Sequence, residues 1–140
     1  MIKNVTVTVL GEQKFGREEE AAEPIELVTR GNLYEKDGFY YLKYDEYYED
    51  VEKPAKNLLK FNDKGLDLTK KGVVNASMSF RTGEARKAIY STPAGTMNIS
   101  ILTEGYQMAL TDRGIAIVVV YVMDYGNDCL SFNMLKLTAE

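Results

Sequence analysis

Phe39-Tyr40-Tyr41-Leu42-Lys43-Tyr44-Asp45-Glu46 is the most aromatic stretch of the chain, and its type decides what the neighbouring segments can be. Aromatic side chains suit a pleated surface, and successive side chains on a strand point to opposite faces. Tyr40, Leu42, Tyr44 and Glu46 therefore share one face, mostly apolar and ending in a carboxylate; Phe39, Tyr41, Lys43 and Asp45 share the other. Just before this strand, Asp37-Gly38 is a hairpin signal, because both turn positions tolerate positive φ. The segment leading into that turn alternates as well. Ile25, Leu27 and Thr29 oppose Glu26, Val28 and Arg30, and Gly31 allows a bend or bulge before Leu33 and Tyr34.

The same rhythm continues on both sides. Ile2, Val5, Val7 and Val9 mark a first strand that Gly11 ends, and Glu12 to Glu23 is an acidic loop with a candidate helical turn at Glu18 to Ala22. Downstream, Leu59 and Phe61 share a face, and Asn62-Asp63-Lys64-Gly65 turns into Leu66-Asp67-Leu68-Thr69. Lys70-Lys71-Gly72 turns again, before Val74, Ala76, Met78 and Phe80 alternate with polar residues. Arg86, Ala88, Tyr90 and Thr92 share the next face, followed by Met97, Ile99 and Ile101. Glu104-Gly105 reads as a turn into Tyr106, Met108 and Leu110, and Asp112-Arg113-Gly114 as another into Ile115 to Met123. That last run is apolar on both parities, so it is covered on both sides or meets a partner. Leu130, Phe132 and Met134 form the final face, and a bulge near Met134 accounts for the change of phase at Leu135 and Leu137.

Some ten short strands with turn glycines predict one all-β domain over residues 1–140, an antiparallel up-and-down β-barrel of about 8–10 strands. Closure also removes the exposed edges that so many strands would otherwise leave.

At 140 residues the chain is long enough to bury a core without staples. Its net charge of −4 argues against a nucleic-acid partner, because phosphate contacts come with a basic surplus. The charge is uneven: residues 12 to 52 are strongly acidic and residues 53 to 87 strongly basic. Such a block is usually a solvated outer face, and less often a positive mouth for an anionic ligand. No signal peptide pattern opens the chain, and the run Ile115 to Met123 is too short for a membrane-spanning helix. The lone Cys129 cannot form an internal disulfide and reads as a small buried side chain. Together these features predict a cytoplasmic protein.

The run Tyr40 to Glu46, then Lys71-Gly72, then Tyr90-Ser91-Thr92-Pro93-Ala94-Gly95 resembles the YwiB-like family of small bacterial proteins, with correspondence from about Ile2 to Leu137. The resemblance implies a calycin-type barrel, the group that includes lipocalins and fatty-acid-binding proteins. Two positions depart from the family pattern: Lys71 stands where an arginine is expected, and Ala94 where an aromatic is common. A lysine lacks the planar fork of arginine, so a bidentate contact at Lys71 is not expected.

With no histidine and one cysteine, imidazole triads, His–metal sites and thiolate clusters are excluded, and no phosphate-loop or dinucleotide fingerprint occurs. Asp45 and Glu46 point to opposite faces and cannot act as a direct carboxylate pair. The expectation is a binder, not an enzyme, with no metal and no cofactor. If Leu42 and Tyr90 face inward, then Tyr40, Tyr44, Glu46, Arg86 and Thr92 do so too. These seven are the candidate ligand-binding residues for a small apolar or amphipathic molecule, with Arg86 anchoring a ligand carboxylate and the tyrosines giving walls and hydroxyls. The alternative is a Glu–Arg or Glu–Lys pair that merely plugs a side-chain-filled barrel serving as an interaction module. The hairpin from Tyr34 to Tyr48, with six tyrosines, or the run Ile115 to Met123 would then form the contact surface, for instance of a homodimer.

Overall fold

Ten strands follow one another in the computed structural model, which describes residues 3–16 and 23–140. They are β1 (Lys3–Lys14), β2 (Ile25–Lys36), β3 (Phe39–Glu46), β4 (Ala55–Asn62), β5 (Gly65–Lys71), β6 (Asn75–Phe80), β7 (Ala85–Thr92), β8 (Gly95–Leu110), β9 (Ile115–Gly126) and β10 (Cys129–Ala139). Each pairs antiparallel with its sequence neighbours, and β1 pairs with β10 to close an up-and-down barrel. The Asp37-Gly38 turn has both residues at positive φ, 52° and 83°, as the tight β2–β3 hairpin demands.

Connections 37–38, 63–64, 81–84 and 111–114 lie at one end, here the floor; 47–54, 72–74, 93–94 and 127–128 lie at the other, the mouth. The floor half of the lumen is packed with Val5, Leu33, Leu42, Leu59, Phe61, Leu66, Phe80, Ile115, Ile117 and Leu137, all buried. Tyr40 stacks on Phe61 with ring centroids 5.7 Å apart. Interiors reach such density by interlocking rings and branched chains, so this half is solid.

Gly31 sits where β1, β2 and β3 approach most closely. A Cβ there would lie 2.7 Å from the Lys43 carbonyl oxygen and 2.8 Å from Val7 Cγ2, so only glycine fits. The register of β2 runs through it unbroken, so its role is close approach and no bulge forms.

Several expectations need correction. The first strand passes Gly11 and continues to Lys14, because β10 offers it a partner down to Phe132. The predicted helical turn at Glu18 to Ala22 lies outside the described residues. Glu104-Gly105 is a bulge inside the single long strand β8, not a turn. At Met134 the β9–β10 register is continuous; the irregularity falls at Cys129/Leu130. Cys129 is exposed, at the mouth-side start of β10. Met97 and Leu110, at the two ends of β8, are exposed, while Ile99 and Ile101 between them are buried.

The largest reversal concerns β10. Ser131 and Asn133 face the lumen and are buried, whereas Leu130 on the other parity is 37% exposed. Hydrophobic alternation assigns the apolar set to the core only where the core is apolar, and at the mouth end it is not.

Candidate binding site

The mouth half of the lumen is built on a cross-strand row. Register places Tyr44 opposite Asn57, Asn57 opposite Lys70, Lys70 opposite Ala76, and Ala76 opposite Tyr90. One step nearer the mouth, β3 ends in Glu46. Lys70 Nζ forms an ion pair with Glu46 Oε1 at 2.8 Å and donates to the Tyr48 hydroxyl at 3.2 Å. Asn57 Nδ2 donates to the same carboxylate oxygen at 3.3 Å.

These contacts set the local electrostatics. Burial alone would lower the pKa of the Lys70 ammonium; the Glu46 carboxylate and the Tyr48 hydroxyl outweigh that and hold it above the ordinary lysine value. Burial likewise pushes the Tyr44 hydroxyl up to about 12, against the opposing pull of Lys70. Tyr48 is shifted upward chiefly by burial, with Lys70 again pulling the other way.

A second polar group faces this one from β1, β8, β9 and β10. The Tyr125 hydroxyl lies 3.1 Å from Ser131 Oγ, receives a hydrogen bond from Gln13 Nε2 at 3.3 Å, and donates to Met123 Sδ at 3.4 Å. Asn133 Nδ2 donates to Ser131 Oγ at 3.0 Å. Tyr121, opposite Asn133 on β9, packs edge-on against Phe80, and burial pushes its hydroxyl up to about 12. The Lys70 charge, across the lumen, pulls the Tyr121 value the other way.

Among the described residues two buried side-chain atoms have no partner: Asn57 Oδ1 in the first group, and Thr103 Oγ1, opposite Tyr121 on β8, in the second. An unmet buried polar atom costs about 1–3 kcal/mol, so two in one half of a lumen mark a place where something else can bind.

The sequence-predicted residues divide accordingly. Tyr44 and Glu46 belong to the polar group, and Tyr90 stands in its cross-strand row, packed against the core. Leu42 and Tyr40 belong to the apolar packing below. Thr92 staples the β7–β8 turn, accepting from the Ala94 amide at 3.2 Å and donating to the Gly95 carbonyl at 3.3 Å.

Arg86 is not in the cluster. It is exposed at the floor end of β7, where its guanidinium pairs with Glu84 at 2.9 Å. Ala88, two residues on, does face inward, but at Arg86 the strand has reached the rim and water solvates the charge. The inward cation is Lys70, on the parity of Leu66 and Leu68, which a strand read two residues longer would have placed correctly. Asn57 shares the parity of Leu59 and Phe61 and was legible in the same way. Ser131 and Asn133 carried no such signal, being flanked by apolar residues that face outward.

The family model described as "Domain of unknown function (DUF1934)" matches residues 7–137. Among solved structures, the crystal structure of the ywiB protein from Bacillus subtilis is similar, with a TM-score of 0.84 and 23% sequence identity, covering 99% of this chain and 92% of that chain. At that identity the likeness speaks for the fold. No curated protein matches the chain.

Proposed function

The chain belongs to the DUF1934 family, and on that premise we propose that it binds a small amphipathic molecule in the mouth half of its barrel. The observation that carries this reading is the pair of buried side-chain oxygens without a partner among the described residues, Asn57 Oδ1 and Thr103 Oγ1, within facing polar groups above an apolar floor. The Asn57 oxygen only accepts, and the Thr103 hydroxyl accepts or donates, so the ligand's polar end is one that donates to Asn57: a hydroxyl, an amine or an amide N–H. Lys70 is already engaged by Glu46, which disfavours a carboxylate head and replaces the expected role of Arg86. Tyr44 and Tyr121, held neutral by burial, supply further hydroxyls and ring faces to such a head group. The reading is one of binding without turnover.

Native mass spectrometry and thermal shift with matched decyl alcohol, decylamine and decanoate test it. The alcohol or the amine should bind saturably and raise the Tm, and decanoate should be weaker by roughly tenfold, one lost or opposed polar contact. Asn57→Leu should abolish that preference. No saturable binding of any of the three overturns the reading.

A second reading rests on a different surface. The outer face of β8–β10 exposes Leu102, Val120 and Leu130, at 42%, 36% and 37%. An apolar stripe of this kind suits a self-association face, and a concentration-dependent dimer in sedimentation velocity, lost in Val120→Lys, supports it.

A further inference from the structure

On the outside of the wall, the face of β2–β5 is hollowed into a groove with a cavity of about 720 Å³. Gly31 contributes only backbone to it, since a side chain there would point inward against Val7 and Tyr44. Arg30, Lys43, Lys56 and Lys71 stand around it, with Asp45 as the single carboxylate in the lining. All four cations are exposed. Among the described residues, Arg30, Lys56 and Lys71 form no ion pair; Lys43 lies 5.7 Å over the Tyr34 ring.

The register sharpens this. Lys56 and Lys71 are direct cross-strand partners. Like charges placed opposite each other destabilise a sheet; Asp45 faces Lys56 from β3 and relieves it in part, whereas Lys71 forms no ion pair among the described residues. A local conflict of that kind is expected where a ligand resolves it. The lining has a surplus of three positive charges, so the occupant that balances it carries two to three negative ones.

We infer that this outer groove is a binding site for a small multiply charged oxyanion of the phosphate class, seated between Lys56 and Lys71 and flanked by Arg30 and Lys43. It is separate from the lumen: Lys70 and Lys71 are consecutive, and only the second faces out. The lysines act as point charges, so the site discriminates by charge more than by shape.

Calorimetric titration of the full chain with inorganic pyrophosphate at low ionic strength tests the site. The expected result is one saturable site with a Kd on the order of 0.1–1 mM, weakened roughly tenfold in Lys56→Gln and in Lys71→Gln. Lys87→Gln, on the distant strand β7, serves as the control and should not change it. A second readout separates the site from general surface charge: without ligand, Lys71→Gln should raise the Tm by about 1–2 °C, because it removes a like-charge opposition, whereas Lys56→Gln also gives up the facing Asp45 and should leave the Tm nearly unchanged. Absence of saturation by about 10 mM pyrophosphate, or equal weakening in Lys87→Gln, overturns the inference. So does a dodecamer of deoxythymidine that binds at least roughly a hundredfold tighter with a log–log salt slope steeper than about −3, since the face would then track a polyanion.

Discussion

Lys70 and Lys71 are neighbours on one strand and meet opposite fates. The first turns into the lumen, where Glu46, Tyr48 and the Asn57 amide group gather around it. The second turns out onto the groove, faces Lys56, and has no acid beside it. Inside the wall a charge persists only by being paired, because an isolated ion there is too costly to keep. Outside, water tolerates it unpaired, so a cluster of like charges can wait for a ligand. The inner site is thus held together by its own contacts, while the outer one sets only Asp45 against four cations until it is filled.

That contrast can be attacked at several points. The apolar floor sets the upper limit of what any polar contact contributes: Phe61→Ala should cost about 3–5 kcal/mol in denaturant unfolding, more than any charge change at the mouth. Replacing the inner lysine comes next. Lys70→Gln leaves Glu46 uncompensated and should cost about 2 kcal/mol, less than for a fully buried pair because the two side chains are 16% and 25% exposed. The double change Glu46→Gln/Lys70→Gln should recover at least half of that loss; no recovery would mean the pair does not act as a unit.

Alkaline unfolding probes the same interior. Burial keeps Tyr44 and Tyr121 protonated in the fold up to about pH 12, while an unfolded tyrosine ionises near 10. Below pH ~10 both states hold the proton and stability is unaffected. Between about 10 and 12 the unfolded state releases protons that the fold retains, so stability falls by roughly 1.4 kcal/mol per pH unit for each such tyrosine. The raised values of Lys70 and Tyr106 add to the fall in the same direction. Tyr121→Phe should make the limb shallower by one group, measured as Tm against pH. The smallest effect is the outer one: Lys71→Gln should stabilise by a few tenths of a kcal/mol, opposite in sign to Lys70→Gln one residue away.

Much of the barrel could be read from alternation. Phe39–Glu46, its hairpin at Asp37-Gly38 and the run from Val74 to Phe80 fold as their parity predicts, because each has an apolar face meeting an apolar lumen. Where the lumen becomes polar, the same rule points the wrong way: Leu130, Phe132 and Met134 look like core and face out, while Ser131 and Asn133 look like surface and face in. Strand ends were the other weak point. Arg86 has the right parity but stands at a rim open to water, and Lys70 resembled a turn residue although β5 extends to Lys71. Tyr44 and Glu46 of the candidate site were therefore legible. The inward direction of Asn57 and Lys70 follows from the parity of Leu59 and Leu68, but that they meet Glu46, with Tyr121 facing them, required the register, which no single strand encodes.

The central claim is that the polar mouth of the lumen receives a donating head group. Its most direct test is an NMR titration of isotope-labelled protein with decyl alcohol, following the Asn57 side-chain amide and the backbone amides of Tyr44, Lys70, Thr103 and Tyr121. The account predicts saturable shifts confined to those positions and their row neighbours, with the Phe61 and Leu66 amides at the floor unmoved. Shifts absent from Asn57 and Thr103, or scattered over the outer wall, would contradict it.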